Sequence, residues 1–476
     1  MVADADFTPS RPRWPANFYV QLGAAFAVAA AVLAARVVLY PENARTYLSP
    51  VFAWWAPAAS WWAVPAVLVL GAAVLLAART RERARPWLLL PLAFGAGLAV
   101  NLAPRGWRGL PFGLFNIFRD DARWLFKNAD VFHRYTALTA HFNQHCRVRP
   151  GGTYWLLGLA DRAFGGSAVL TEVAFIFLGA GAALAVYAAA RPLVGKKDAC
   201  GAAALFALAP SVLVFGACPD GLYALLLIAT FALAVRAFWS ARGWPYALAA
   251  GVAGAAAAVT TYNILPLQLF VAAAALAASL SGPRKLAPWV NFGLMLVTAA
   301  ALLAAFQLAT GYDHWAAFRR AYWAAQTYPS GGDNIFKMAA RLLGRGGQNL
   351  PKAGERPYGV WVFANLYSFF FMMGVPAAVL YGREMWGIIR DRGRRRTPLG
   401  AFALTFLGAF LAFNFSGLLL GEAERVWLFL LPGFAVPAAV QLGRLAGPGG
   451  KRLAVATFAI LAAQGLLFHL LLATPF

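Results

Sequence analysis

Between Phe118 and Gly152 the chain reads FRDDARWLFKNADVFHRYTALTAHFNQHCRVRPGG, a stretch that mixes carboxylates, imidazoles and guanidiniums. A carboxylate can take the proton of an attacking hydroxyl or amine, and a guanidinium offers paired donors that match a phosphate. Asp120 and Asp121 are the candidate bases. Arg147 and Arg149, set against the turn Pro150-Gly151-Gly152, are candidate holders of an anionic group such as a lipid phosphate, and Asp130 and His145 are candidate substrate contacts. The plainer alternative for each is a solvated loop stitched by local ion pairs. Adjacent carboxylates could also ligate a divalent metal, although Asp120 and Asp121 bring no further ligand with them in sequence.

Two other places carry ionisable or polar groups where apolar ones are expected. In GEAERVWLFLLP, Glu422, Glu424 and Arg425 open an apolar run, and charge at such a position must be paired or face water. Glu422 and Arg425 are three apart and so share a helical face. They read either as a structural ion pair or as a site in which Arg425 reaches an anionic substrate and a glutamate orients it. Tyr262 and Asn263 interrupt two apolar runs and either turn the chain or line a cavity. Asp220, after Pro219, reads as an N-cap for the helix that follows. The three cysteines, Cys146, Cys200 and Cys218, form no CxxC pair, which leaves zinc and redox motifs unsupported. No glycine run has the strand-loop-helix context of a nucleotide-binding loop.

The elements that must position these residues are set by the solvent. Of 476 residues, 61% are hydrophobic and 12% charged, about half the charge of a soluble protein. A bilayer crossing takes roughly 20 apolar residues with every backbone group bonded inside the segment. Apolar segments run at about 17–40, 61–78, 87–103, 168–190, 199–216, 222–238, 246–261, 264–281, 288–309, 359–381, 399–420, 425–444 and 453–473, thirteen in all. The fold class is therefore all-α, a polytopic helical bundle, and 1–476 reads as a single membrane domain. The net charge of +23 does not indicate nucleic acid, because the basic residues sit in short loops without an aromatic-interleaved stripe.

Short loops rich in Lys and Arg face the cytoplasm. Alternation from a cytoplasmic N-terminus puts every such loop on one side. The other side then receives 104–167, the Cys218-Pro219-Asp220-Gly221 turn, the Thr260-Thr261-Tyr262-Asn263 break, 311–358 and the GEAER segment. Both long loops exceed simple connectors, and Thr153 to Phe164 in the first is expected as a short interfacial helix. A multi-pass protein of the cell (inner) membrane with its chemistry facing outward is the expectation. A transporter or lipid flippase is the alternative, though such a protein would gather its polar groups at the bilayer midplane.

An Asp-bearing first loop, a His-x-Arg-x-x-Pro-Gly turn into an interfacial helix ending Phe164-Gly165-Gly166, a Pro-Asp turn, a Thr-Thr-Tyr break and a late GEAERVWLFLLP together resemble the GT-C superfamily of membrane glycosyltransferases. The likeness is nearest to bacterial members of the protein mannosyltransferase and lipid A aminoarabinose transferase type. The resemblance implies a polyprenyl-phosphate sugar donor, transfer at the outer leaflet to an acceptor the motifs leave open, and Asp120 or Asp121 as base. Two departures stand out. Arg149 and Gly151 replace the His and second Pro usual in that turn, and three spans precede the Asp loop where one is common.

Overall fold

With no water to satisfy it, a peptide group inside a bilayer must bond within its own segment, and the apolar segments do so as helices. A computed structural model describes residues 15–39, 54–111, 114–127, 132–326, 358–418, 423–447 and 451–473. Among these, eight helices are long and apolar enough to cross a membrane, or nine if one bent pair counts as a span. The count of thirteen expected from hydropathy includes shorter helices, Pro86–Leu102 and Trp244–Thr260 among them, and one broken segment. Where 199–216 was expected to run on, the chain breaks between Lys196–Ala207 and Pro210–Phe215, because proline drives the residue before it out of helical geometry. Among the described residues the strand content is a two-residue antiparallel pairing of Trp54–Trp55 with Leu472–Ala473.

The helix Pro219–Trp239 runs through the middle of the bundle, flanked by Ala168–Ala190, Trp244–Thr260 and Ile264–Ser281. Alanine and glycine line these contacts, letting backbones approach where lipid supplies no hydrophobic drive for helices to associate. Ala287–Thr310 is the opposite case: only Pro288 and Met295 are buried, Phe292, Leu294 and Phe306 are partly covered, and much of its remaining apolar surface is exposed. A cluster of rings from three separate segments, Phe410, Phe369 and Phe434, packs with centroids 4.8–5.0 Å apart. Trp427, fully buried, joins it, which seats the segment that carries Arg425.

The expected span 359–381 is in fact two helices, Tyr358–Met373 and Val375–Arg390, bent by 108°. Gly374 makes the bend with φ +101°, a conformation other residues rarely adopt. A Cβ there would lie 2.0 Å from Leu461 Cδ2. The backbone groups freed by the bend are not left bare. Gln464 accepts from the Val375 N–H at 3.1 Å and donates to the Phe371 carbonyl at 2.8 Å. Beyond the bend, Glu384 is fully buried and receives both Arg394 and Arg444.

The 104–167 segment has a small core of its own, built from Phe115, Phe118, Tyr135, Phe142, Tyr154 and Leu157 and closed by Tyr312 from the second long connection. Its two main helices, Leu114–Phe126 and Gly152–Ala163, lie side by side, the second where the short interfacial helix was expected. Asp161 pins them. Arg119 Nε and Arg123 Nε each donate to it at 2.6 Å, and both guanidiniums also reach the Gly166 carbonyl. Two of the arginines that sequence offered to an external anion are therefore spent on this internal carboxylate. Burial alone would raise the Asp161 pKa, but the two guanidiniums outweigh it and hold it below 3.8.

Gly374→Ala should lower stability by about 1–3 kcal/mol from strain alone, read as a fall in melting temperature in detergent; Leu461→Ala added to it should restore only the part due to the clash. Because the Asp161 pKa is depressed on folding, its contribution is present above the ordinary carboxylate value and disappears as pH falls through the folded one. Asp161→Asn should therefore destabilise at neutral pH and flatten the acid limb of the melting profile, an outcome thermal scans across pH would check.

Candidate active site

Asp220 is the meeting point. It stands one residue inside the helix that Pro219 begins, 4% exposed, with Cys218 rather than Asp220 at the N-cap position. The capping role expected from sequence is thus replaced by a pair of ion pairs from distant parts of the chain. Arg149 Nη2 lies 3.5 Å from Asp220 Oδ1, and Arg425 Nη1 lies 3.0 Å from Oδ2. Two guanidiniums thus meet at one buried carboxylate, where ionisable groups are tolerated only when they are paired.

Each arginine is held in place by its own segment. Tyr135 OH donates to the Arg149 carbonyl at 2.7 Å, and the Gly151 N–H donates to Tyr312 OH at 3.1 Å. Thr153 Oγ1 donates to the Thr260 carbonyl at 2.6 Å, tying the basic turn to the Thr-Thr-Tyr break. Gly152 is required for that approach, since a Cβ there would stand 2.6 Å from the Val259 carbonyl oxygen. The Arg149 guanidinium lies over the Tyr223 ring at 5.0 Å and the Phe118 ring at 5.9 Å. Burial tends to deprotonate it, but the Asp220 carboxylate more than compensates, and its pKa is raised. Its Nε is buried without a hydrogen-bond partner. On the other side, Glu424 accepts from Ser368 Oγ, and Asn263 Nδ2 reaches the Val426 carbonyl at 3.4 Å.

Asp121 belongs to this neighbourhood and Asp120 does not. Phe118 and Asp121 are three apart on the Leu114–Phe126 helix and so share a face, and Phe118 touches Arg149. The Asn143 N–H donates to Asp121 Oδ2 at 3.0 Å. The buried Cys146 thiol also bonds to Asp121; burial and then that bond push its pKa up, keeping it a thiol. Cys146 in turn accepts, through its carbonyl, the Arg149 N–H at 3.2 Å and Tyr154 OH at 2.7 Å. Asp120, roughly a hundred degrees around the helix, points to solvent. Consecutive carboxylates that diverge in this way do not make a chelate, and among the described residues no three His, Cys, Asp or Glu gather to hold a metal.

The remaining sequence candidates separate. Arg147 is exposed and engaged locally, donating to the Phe142 and Ala140 carbonyls at 2.9 Å each, so it braces the turn away from the arginine pair. Tyr262 is partly buried beside Phe318 and Tyr312, and its ionisation is pushed above the usual range by burial. Asp130, Glu422 and the side chain of His145 lie outside the described residues. Two participants were not singled out in sequence as parts of a site. Tyr223 could have been found as the residue three on from Asp220 on the same helical face, and Cys146 only through its neighbours.

No family model matches the chain by sequence, and no curated protein does. By structure it is similar to the oligosaccharyltransferase of Archaeoglobus fulgidus in the apo form, with a TM-score of 0.50 and 14% identity over 80% of this chain and 56% of that one. It is also similar to ArnT from Cupriavidus metallidurans, at 0.45 and 15% in the apo state and 0.48 and 13% bound to undecaprenyl phosphate, each over 74% of this chain and 70% of that one. The chain spans just over half the length of the archaeal protein. The first likeness shows a fold shared with that oligosaccharyltransferase.

If Asp220 is what makes the arginine pair tolerable, Asp220→Ala should destabilise by about 3–5 kcal/mol through uncompensated buried charge. Removing Arg425 as well should recover part of that loss. A double-mutant cycle by thermal or chemical unfolding in detergent reads the coupling.

Proposed function

We propose that this chain is a membrane glycosyltransferase that moves a sugar from a polyprenyl-phosphate-linked donor to an acceptor at the outer face of the cell membrane. The observation that carries the reading is the convergence of Arg149 and Arg425 on the buried Asp220. A donor phosphodiester brings one negative charge to that point. As the bond from the anomeric carbon to the phosphate oxygen breaks, a second negative charge develops on the departing polyprenyl phosphate, so a preset cationic cradle favours the transition state over the ground state. The unpartnered Arg149 Nε is a donor still available to such an oxygen. Asp220 keeps the two guanidiniums apart and oriented before the lipid arrives.

Asp121 is the base in this reading. The acceptor oxygen or nitrogen attacks the anomeric carbon from the side opposite the phosphate, its proton passes to the Asp121 carboxylate, and configuration inverts. The Asn143 N–H and the Cys146 thiol fix one edge of that carboxylate. The cradle narrows to Arg149 and Arg425, because Arg147 is occupied by backbone carbonyls. Tyr262, Asn263 and Glu424 tie together the segments around the arginine pair. No step is routed through a divalent metal, since the diverging Asp120 and Asp121 do not form a ligand set.

In proteoliposomes supplied with a labelled polyprenyl-phospho-sugar, Asp121→Asn should lower turnover by about 10²–10⁴-fold while leaving lipid-phosphate binding intact. Asp120→Asn should stay within a few-fold of wild type. Arg425→Ala should weaken binding of polyprenyl phosphate by at least about tenfold. Full activity in Asp121→Asn would remove the base assignment, and unchanged lipid binding in both Arg425→Ala and Arg149→Ala would remove the cradle.

A further inference from the structure

Cys218, two residues before Asp220, belongs to the wall of a separate cavity of about 80 Å³. A single water needs roughly 10–15 Å³ of such space, so the volume is on the scale of a six-membered ring with substituents rather than of an ion. The wall carries Asn101, Arg105, Glu172 and His469 as polar groups, with Phe115 as its aromatic face. Neither Asp220, Arg149 nor Arg425 lines it.

Glu172 is 3% exposed, and its Oε2 makes no hydrogen bond. His469 Nδ1, in the same cavity, is likewise buried and unpartnered. Buried polar atoms in native proteins are paired, so two unpaired atoms on side chains that line one cavity mark a place where something else completes the bonding. One carboxyl, one imidazole and a guanidinium at the rim give no excess of either sign large enough to select an ion. Among the described residues no metal-ligating group of three is present. The combination of hydrogen-bonding groups with an apolar and aromatic wall matches a molecule that has a hydroxyl rim and an apolar face. We propose that this cavity binds the ring of an uncharged monosaccharide unit.

The wall combines residues that precede the Asp-bearing loop and the end of the last helix with Phe115, Glu172 and the stretch leading to Cys218. Ala56 N–H donates to the Leu471 carbonyl at 3.2 Å and Ala58 N–H to the Leu470 carbonyl at 2.8 Å, continuing the Trp54–Trp55 pairing with Leu472–Ala473. Asn101 is fixed by donation to the Gly97 and Leu213 carbonyls at 2.9 and 2.8 Å. Ala56 and Ala58, on the connection between the first two spans, thereby form part of this wall.

The test is ligand-observed saturation-transfer NMR with methyl α-D-glucopyranoside and the full-length protein in lipid nanodiscs. Wild type should transfer saturation to the ring protons, and Glu172→Ala and His469→Ala should each reduce it at least fivefold. Glu172→Gln, which keeps the hydrogen-bonding shape without the charge, should retain it, as should Arg425→Ala. No transfer in wild type would overturn the proposal and leave water as the occupant. Loss in Glu172→Gln with displacement by ethylammonium would overturn it in favour of a cation. Loss in Arg425→Ala with retention in Glu172→Ala would overturn it by moving the sugar to the arginine pair, without touching the proposed transfer reaction.

Discussion

A single buried carboxylate sets the terms for this site. Asp220 draws in one arginine from the first long loop and another from the segment after the penultimate connection, and it does so at a helix start in the middle of the bundle. Isolated, either guanidinium would be intolerable at that depth, and so would the carboxylate. Together they satisfy one another, and the proposed affinity for a lipid phosphate rests on two guanidiniums held at one point.

Holding the pair requires rigid surroundings, and the fold supplies them from several directions. The turn carrying Arg149 hangs on Tyr135, Tyr312 and the Thr260 carbonyl, while Trp427 anchors Arg425 in the ring cluster. The loop that carries Asp121 is a packed unit with its own core, clamped by Asp161 to Arg119 and Arg123. Charge is used differently in the two places. At Asp161 the carboxylate sits between arginines that are partly solvated and serves to lock two short helices. At Asp220 burial is nearly complete, and the same arrangement of one acid and two bases becomes a site.

Legibility in sequence followed the range of the forces involved. The membrane class, the positions of the helices and the short helix before Phe164 were all readable, since each depends on local composition and hydrogen bonding along one segment. Of the features expected on one face, the basic turn, the Pro-Asp turn and the segment carrying Arg425 meet at Asp220, and the Thr-Thr-Tyr break is bonded to the basic turn. Hydropathy was less informative about helix continuity. It counted 199–216 and 359–381 as whole spans, because a window average registers neither the constraint imposed by Pro210 nor the positive φ of Gly374.

What the sequence determined by itself was the solvent, the helical class, the ensemble of motifs and the set of residues able to do chemistry. What only the tertiary structure decided was which of them act together. Arg147 and Arg149 are indistinguishable as types two residues apart, yet one binds backbone carbonyls at the surface and the other reaches a buried acid. Asp120 and Asp121 differ only by their turn around a helix. Pairing energies depend on distance and burial, and contacts such as Arg425 with Asp220, 205 positions apart, exist only once the chain has folded.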